Sequence, residues 1–283
     1  MRLPLLITAA MVAIGCYASN TAKDMRTSSS RNILSPTFKP PQHWKNSNVL
    51  RLIDLSKAYL RETVTLSVEN IGTGPQKEYY WAVPLELLPH ISSVEVREKK
   101  LDAPKLDAEL VEYDSTGSTQ FYKITFQKAL PPTSVITLTI KTAYLDLLEP
   151  VPKYIDQDEN QFLVWEGSRY LPSAYRTVKQ RTRVKLPTSS VASYTKTTDE
   201  KDVSDPQVAG SLVTYGPYED EQAGTYDPIY VRYEHSTPIV VVEKLERDIE
   251  VSHWGGNLAV EERYTVTNTA ARFELVQYLL TPD

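Results

Sequence analysis

The sequence predicts a mostly β protein, and three observations support this. Short segments of alternating apolar and polar residues recur about every ten residues, which is typical of a β-sandwich. Tyrosine (18) outnumbers phenylalanine (5), and proline (19) nearly doubles glycine (10), a composition that suits short strands and prolyl turns. Evidence for helices is thin: residues 143–148 form the only apolar run without a strong β bias.

The individual strands are predicted from alternation with a period of two residues. In residues 62–70, Val64, Leu66 and Val68 share one face, and threonine and serine lie on the other. Residues 71–75 hold two glycines and a proline, which predicts a turn. The two glycines could also suggest a dinucleotide-binding loop, but that motif needs a third glycine and a following helix, and both are missing here. The same pattern predicts strands at 49–55, 78–83, 91–97, 120–126, 135–141, 161–166, 182–186 and 229–233.

Size and charge exclude several classes of protein. The chain has 283 residues and 32.0 kDa, which is enough for one large domain or two of ordinary size. A net charge of −5 argues against a protein that coats nucleic acid or anionic lipid with a general positive field. The one cysteine, Cys16, lies in the first segment, so disulfides and thiolate metal sites are not expected to hold the mature chain together.

The N-terminal segment has the features of a secretory signal peptide. Arg2 supplies a positive start, residues 3–14 are almost entirely apolar, and Cys16 and Ala18 place small residues at the positions required for cleavage after Ala18. The apolar run is too short for an uncleaved membrane anchor. We therefore expect a cleaved signal at 1–18, followed by a flexible leader at 19–45 that is rich in serine, threonine, lysine and proline.

An internal repeat predicts two related domains. Residues 53–56 and 62–70 are echoed by residues 249–252 and 260–268, with Asn70 aligned to Asn268. On this basis a first β-rich domain is expected at 46–239 and the beginning of a second, incomplete one at 240–283. The alternative is that any two amphipathic hairpins look alike.

The usual catalytic signatures are missing from the sequence. There is no Gly-x-Ser-x-Gly elbow, no His-Glu-x-x-His and no phosphate-binding Gly-Lys-Ser/Thr loop. The four histidines lack metal-ligand spacing, and we interpret each as a surface or interface residue: His43, His90, His235 and His253. The chain is not expected to be an enzyme by itself, and no cofactor or metal is predicted.

Two further clusters allow a functional and a simpler interpretation. Asp156 and Asp158 form an Asp-x-Asp pair that a metal-dependent enzyme could use. The residues that follow do not match a calcium-binding loop, and a solvated turn is the favoured interpretation. The only cluster of basic residues in the sequence consists of Arg176, Lys179, Arg181, Arg183 and Lys185. It could bind an acidic partner, lipid phosphate or RNA, but a solvated strand face is the favoured interpretation.

A short connection at 253–257 is the most distinctive local feature. Two glycines follow an aromatic residue between strands, which predicts a tight exposed turn. Trp254 either packs beneath its own sheet or anchors a partner.

Blocks spread along the chain resemble the ribophorin I family, the largest accessory subunit of the eukaryotic oligosaccharyltransferase. They occur in the family's order at 48–55, 161–167, 183–186, 193–196, 215–217 and 249–262. The last block is the most specific and contains the candidate interaction residues His253, Trp254, Gly255, Gly256, Asn257, Glu261 and Glu262.

The resemblance implies a non-catalytic, lumen-facing subunit of a membrane complex in the endoplasmic reticulum. That complex transfers a preassembled oligosaccharide from dolichyl diphosphate to Asn in Asn-x-Ser/Thr of nascent chains. The implied partners are the other subunits, including the catalytic multispanning one, with the translocon and nascent chains as further candidates and no nucleic acid. Family members are type I membrane proteins, but after residue 271 this sequence departs from the family pattern, so no anchor is expected within it. The alternative is a free secreted β-sandwich module for binding or adhesion.

Overall fold

The structure, a computed structural model, describes residues 38–111, 118–197 and 206–273. The predicted signal peptide and most of the predicted leader lie outside these ranges. Within them the chain forms one 3-10 helix, Leu85–His90, and eighteen strands. The strands are β1 (Trp44–Asp54), β2 (Leu60–Asn70), β3 (Gln76–Pro84), β4 (Ile91–Glu98), β5 (Lys105–Val111), β6 (Thr119–Leu130), β7 (Val135–Tyr144), β8 (Glu149–Pro150), β9 (Tyr154–Ile155), β10 (Phe162–Ser168), β11 (Thr177–Lys185), β12 (Val191–Tyr194), β13 (Gln207–Ala209), β14 (Leu212–Glu221), β15 (Pro228–Glu234), β16 (Val240–Val251), β17 (Leu258–Asn268) and β18 (Arg272–Phe273).

The prediction of a mostly β fold is confirmed, and each predicted strand coincides with an observed one. Residues 143–148 are not helical: the first two end β7, and residues 145–148 form the loop between β7 and β8. Two of the longer strands, β5 and β14, and several short ones were not predicted. Strand β5 alternates, but lysine, aspartate, glutamate and alanine have a low β propensity. In β14 the alternation is interrupted by Gly216 and Pro217.

The strands form one large sheet, a smaller one and two strand pairs. Ten strands follow the order β13-β14-β11-β1-β2-β7-β4-β5-β6-β3, and four follow the order β12-β15-β10-β8. Strand β1 pairs in parallel with β11, more than a hundred residues later in the chain, which a hairpin could not achieve. Strands β16 and β17 form a separate hairpin, and β18 pairs with β9.

Two hydrophobic cores lie on the same face of the central strands β1, β2 and β7. At one end, Val49, Leu66 and Leu138 pack against β3 and β6 in the first core. At the other end, Ile53 and Leu60 pack against β10 and β15 in the second core. The sandwich therefore has one long layer covered by two shorter ones placed side by side.

Strand β1 and the core contacts that precede it begin before the expected domain boundary at residue 46. Strand β1 begins at Trp44, which is buried and packs edge-on against Phe126 with ring centroids 5.5 Å apart. Phe38 packs against the same core. Local composition does not reveal this, because the preceding prolines resemble those of a linker.

The β16–β17 hairpin differs from the rest of the fold in its exposure. Both strands are exposed along almost their whole length. In the part of the chain that the structure describes, no helix has the length and apolar character needed to cross a membrane.

Candidate functional site

The β16–β17 hairpin repeats the β1–β2 hairpin in its strand register. Val49 faces Leu66 in the first hairpin, and Leu245 faces Tyr264 at the equivalent position of the second. Both hairpins also have a register irregularity at the same place, between Asn46 and Asn48 and between Val242 and Lys244. Shared register and a shared bulge support the repeat seen in the sequence, since bulges are specific features of a strand pair.

The two equivalent asparagines cap their hairpins in the same way. Asn70 Oδ1 accepts a hydrogen bond from Gly72 N (2.9 Å), and Asn268 Oδ1 accepts one from Ala270 N (3.1 Å). Asn268 Oδ1 also accepts from Ile239 N at 3.2 Å, which closes the base of the second hairpin.

One face of the second hairpin is apolar and exposed. Side chains alternate between the two faces of the paired strands. Those on this face occupy the positions that are buried in the first hairpin. We call it the apolar face of the hairpin; its large exposed hydrophobic residues are Val240, Val242, Leu245, Ile249, Val251, Leu258, Val260, Tyr264 and Val266.

A charged pair interrupts the apolar face. Arg247 Nε lies 2.5 Å from Glu262 Oε1, and the Tyr264 hydroxyl donates to the other carboxylate oxygen of Glu262. These hydrogen bonds lower the pKa of Glu262, the one from Tyr264 most, and the carboxylate in turn raises the pKa of Tyr264. Glu261 lies on the opposite face and pairs with Arg263 at 2.7 Å.

The short connection at residues 253–257 lies at the tip of this hairpin. Ser252 organises it: its N–H donates to Asn257 O (3.0 Å), its carbonyl accepts from Gly256 N (3.1 Å) and its hydroxyl accepts from Gly255 N (3.2 Å). Gly256 has a φ of +61°, which favours glycine. Trp254 is fully exposed and does not pack beneath its own sheet, so one of its two predicted placements is wrong for this chain.

The base of the hairpin is joined to the second core through His235, Gln161 and Ala271. Gln161 Nε2 donates to His235 O (2.7 Å), and Gln161 Oε1 accepts from Ala271 N (2.9 Å). The interpretation of His235 as a surface or interface residue is wrong, because it is 3% exposed and burial lowers its pKa. His43 and His253 are exposed, as expected, and His90 is half-buried.

A buried polar cluster separates the two cores. Arg51 Nε lies 2.5 Å from Glu62 Oε1, and Arg51 Nη1 donates to Ser168 O at 2.7 Å. The Tyr144 hydroxyl donates to Glu62 Oε2 at 2.8 Å; burial and then the neighbouring carboxylate raise the pKa of Tyr144. The sequence carried a signal for this cluster, because Arg51 interrupts the apolar face between Val49 and Ile53.

The polar cluster forms the floor of a groove between the two covering layers. Its inner cavity, about 440 Å³, lies between the 3-10 helix and β10. Its outer cavity, about 920 Å³, lies between the end of β3 and residues 172–174 and 223–226. Both cavities are lined by Pro84, Glu86, Pro172 and Tyr226, so the groove is continuous.

The inner cavity carries an excess of negative charge. Glu86, Glu149 and Glu166 line it, and none of the three has an ion-pair partner in the described part of the chain. Glu86 and Glu166 lie close enough to Tyr226 to add to burial in raising the pKa of its hydroxyl. None of these residues is identified by the sequence alone, because they are far apart in the chain and form no motif.

The remaining candidate clusters do not form a site. Asp156 and Asp158 lie in an exposed turn after β9, and no group of three or more metal-ligating side chains occurs within 38–111, 118–197 and 206–273. Four of the five basic residues lie on the outward side of β11, and Arg176 directly precedes this strand. Carboxylates of Asp220, Glu219 and Asp54 pair with Arg176, Lys179 and Lys185, respectively.

Comparison with known proteins gives a consistent family signal. A family model described as ribophorin I matches residues 44–275. Subunit 1B of the dolichyl-diphosphooligosaccharide–protein glycosyltransferase of Arabidopsis thaliana is 33% identical over 241 residues, covering 83% of this chain and 50% of the relative. Subunit 1 of the Caenorhabditis elegans enzyme is 31% identical over 231 residues, covering 82% of this chain and 38% of the relative.

The chain thus spans half or less of the length of these curated relatives. Among solved structures, an M1 zinc metallopeptidase from Deinococcus radiodurans is similar at 12% identity with a TM-score of 0.38, covering 80% of this chain and 48% of that one. Nothing about the activity of this chain is taken from so low a score.

Proposed function

Because the chain belongs to the ribophorin I family, we propose that it acts as a non-catalytic subunit of an oligosaccharyltransferase. In this role it supports transfer of a preassembled oligosaccharide from dolichyl diphosphate to Asn in Asn-x-Ser/Thr of nascent chains, facing the lumen of the endoplasmic reticulum. The observation that carries the proposal is the family match over residues 44–275, together with relatives that are named as subunits of this glycosyltransferase.

The proposal includes a division of labour within the complex. The catalytic chemistry and its metal ion belong to a separate multispanning subunit, and this chain contributes protein contacts. The translocon and nascent polypeptides are further partners of the assembled complex, and a membrane anchor of the type I kind belongs to the full-length family pattern.

We propose that residues 240–268 open a second β-rich domain related to the first. The support is the shared register and bulge of the two hairpins, since every position of the apolar face corresponds to a position that the first hairpin buries. An exposed apolar surface of this extent is typical of a surface that another layer or chain covers. A further β layer would cover the apolar face as β3 and β10 cover the first hairpin.

The experiment that tests membership is purification of the tagged chain from endoplasmic reticulum membranes in mild detergent, with mass spectrometry of the recovered proteins. We expect the other subunits to be recovered. Depletion of the chain should lower N-glycan occupancy on client proteins. Recovery of the chain alone from a secreted fraction would contradict the proposal and favour a free binding or adhesion module.

Two variants test whether association with the other subunits depends on the apolar face of the hairpin. Leu245→Lys combined with Ile249→Lys places two charges on the apolar face. Because we propose that a further β layer covers this face, we expect the variant to destabilise the second domain and thereby reduce recovery of the other subunits. Glu250→Ala, on the charged face of the same strand, is the control. Equal recovery with both variants would show that the contacts lie elsewhere.

A further inference from the structure

Three connections between strands lie together at one end of the large sheet. They join β2 to β3, β4 to β5 and β6 to β7. Glu69 at the end of β2 faces Val135 at the start of β7, and Glu98 at the end of β4 faces Leu138 across the other edge of β7. The fold gathers these connections into one surface, which we call the turn cluster and define as residues 71–75, 99–104 and 131–135.

Each connection of the turn cluster exposes an aliphatic side chain. Leu101 is 94% exposed, Val135 is 56% exposed and Ile71 is 51% exposed. Asn70 N donates to Ser134 O (3.0 Å), which holds the first and third connections side by side. Single exposed apolar residues are ordinary, but three at one end of a sheet form a patch that a partner can cover.

The turn that carries Leu101 is held on both sides. Lys99 N donates to Thr137 O (2.8 Å), and Arg97 Nη1 donates to Ala103 O (3.0 Å). These hydrogen bonds fix the turn, while the Leu101 side chain stays in solvent.

A basic cavity of about 530 Å³ lies beside these aliphatic side chains. Lys99, Lys100, Lys128 and Val135 line it, and Glu98 is the one carboxylate among its described lining residues. Glu98 pairs with Lys100 at 2.9 Å, whereas Lys99 and Lys128 have no carboxylate partner in the described part of the chain. The cavity therefore suits an anion, although the net charge of the whole chain is −5.

An adjoining cavity brings Leu101 next to the same lysines. It has a volume of about 430 Å³, and Leu101, Lys99 and Lys100 line it. Both carboxylates among its described lining residues are engaged in ion pairs. Asp102 is the only acidic residue of the turn cluster itself. Positive charge thus exceeds negative charge around Leu101.

The composition of this surface fits a lipid bilayer better than a protein partner. The centres of protein interfaces are rich in aromatic residues and poor in lysine, and none of the described residues that line the two cavities is aromatic. A free phosphate ion would fit the basic cavity but would leave the aliphatic side chains in water. In a bilayer, an aliphatic side chain enters the boundary between headgroups and acyl chains, and lysines beside it extend their ammonium groups to the phosphates.

We propose that the turn cluster docks on the surface of a bilayer that contains anionic phospholipid. Leu101 inserts among the headgroups, with Val135 and Ile71 at the membrane surface, and a lipid phosphate lies in the basic cavity between Lys99 and Lys128. Strands β2, β4 and β7 then lead away from the membrane. The proposal does not rest on complex membership, because all of these residues belong to the first β layers.

The test is cosedimentation with phosphatidylcholine vesicles that contain about 30% phosphatidylserine. The protein is the chain from residue 19, as the predicted signal cleavage leaves it, so that the apolar segment at 3–14 does not itself bind lipid. We expect saturable binding. It should weaken about tenfold when phosphatidylserine is left out or when about 0.5 M salt is added, because the lysines act through electrostatic attraction.

Protein variants locate the binding to the turn cluster. Lys99→Gln combined with Lys128→Gln should weaken binding about tenfold, since lysines near an anionic surface contribute directly to affinity. Lys57→Gln combined with Lys153→Gln removes the same charge from exposed positions elsewhere and should bind as the unaltered chain does. Leu101→Ser should weaken binding about tenfold, because the inserted side chain no longer gains by leaving water.

A fluorescent label identifies the inserted residue. Cys16 is the only cysteine of the sequence and is absent from the chain that begins at residue 19, so Leu101→Cys provides a single labelling site. We expect an environment-sensitive label at this site to shift to shorter wavelength when anionic vesicles are added. The same label attached through Leu145→Cys should not shift, because Leu145 is 50% exposed and lies beyond the opposite end of β7.

Three results would overturn the proposal. One is the absence of binding to the anionic vesicles up to about 5 mM lipid. Another is unchanged vesicle binding by Leu101→Ser while inorganic phosphate competes for the site, which would assign the basic cavity to a soluble anion. The third is a label shift with Leu258→Cys and none with Leu101→Cys, which would assign membrane contact to the apolar face of the hairpin. Each result is obtained on the isolated chain and leaves the co-purification test of complex membership unaffected.

Discussion

Arg51 and Arg247 occupy equivalent positions in two hairpins of the same register, and each pairs through Nε with a glutamate at 2.5 Å. The side chain of Arg51 is 7% exposed, whereas that of Arg247 is 52% exposed. The difference arises because two β layers cover the first hairpin and none among the described residues covers the second. The two glutamates are not equivalent, because Arg247 faces Glu262 directly, whereas Arg51 faces Val64 and reaches Glu62 diagonally. The same arginine position thus lies in a buried pair in one hairpin and on an open surface in the other.

Arg51→Ala should destabilise the chain by about 3–5 kcal/mol, because it leaves the buried Glu62 carboxylate without its cation. Arg51 also donates to Ser168 O, so a second buried acceptor loses its partner. Denaturant unfolding measures the change. Arg61→Ala, which removes an exposed pair with Asp54, should cost less than about 1 kcal/mol. Similar costs for both variants would mean that the buried pair has no special role in stability.

Val68→Asp and Val266→Asp are matched substitutions at equivalent positions of the two hairpins. Val68 is fully buried, so an aspartate there should destabilise the chain by more than about 3 kcal/mol or prevent folding. Val266 is 56% exposed, and its substitution should change the free energy of unfolding by no more than about 0.5 kcal/mol. Thermal unfolding of the isolated chain compares the two. A large loss with Val266→Asp would show that the apolar face is already covered in this chain.

Stability should decrease as the pH falls through about 6.5, in a way that depends on His235. Burial lowers the pKa of His235 below its ordinary value of 6.5, so the folded chain keeps the ring neutral while the unfolded chain takes up a proton. The stabilisation is complete above pH 6.5 and is lost as the pH falls toward the lowered pKa. Urea midpoints of the chain and of His235→Gln, measured from pH 7.5 to 5, should converge at the acidic end. Parallel curves would contradict this role of His235.

Gly167→Ala should destabilise the second core by about 1–3 kcal/mol. A Cβ added at Gly167 would lie 2.5 Å from Cζ2 of the buried Trp165, so the indole would have to move. Tryptophan fluorescence and thermal unfolding report the shift and its cost. Gly74→Ala is the control, because a Cβ there meets no atom within 4 Å. Equal melting temperatures for the two variants would mean that the Trp165 site accommodates a methyl group.

Much of the fold was predictable because alternation along a strand reflects burial of one face. The pattern of Val64, Leu66 and Val68 located β2, and the repeat that ends in Asn70 and Asn268 located the second hairpin. Burial of His235 was not predictable, because it depends on strands distant in sequence. The exposure of Trp254 was equally undecided, since the tip of a hairpin can fold under its sheet or away from it.

The sequence by itself determined the β class, the positions of most of the longer strands, the internal repeat and the family, because each depends on the order of neighbouring residues. Only the tertiary structure decided that β1 pairs with β11, that Arg51 meets Glu62 between two cores, and that three glutamates line one groove. The physical reason is that pairing between distant strands, and the desolvation that follows it, depends on the packing of whole layers and leaves no periodic signal in the chain.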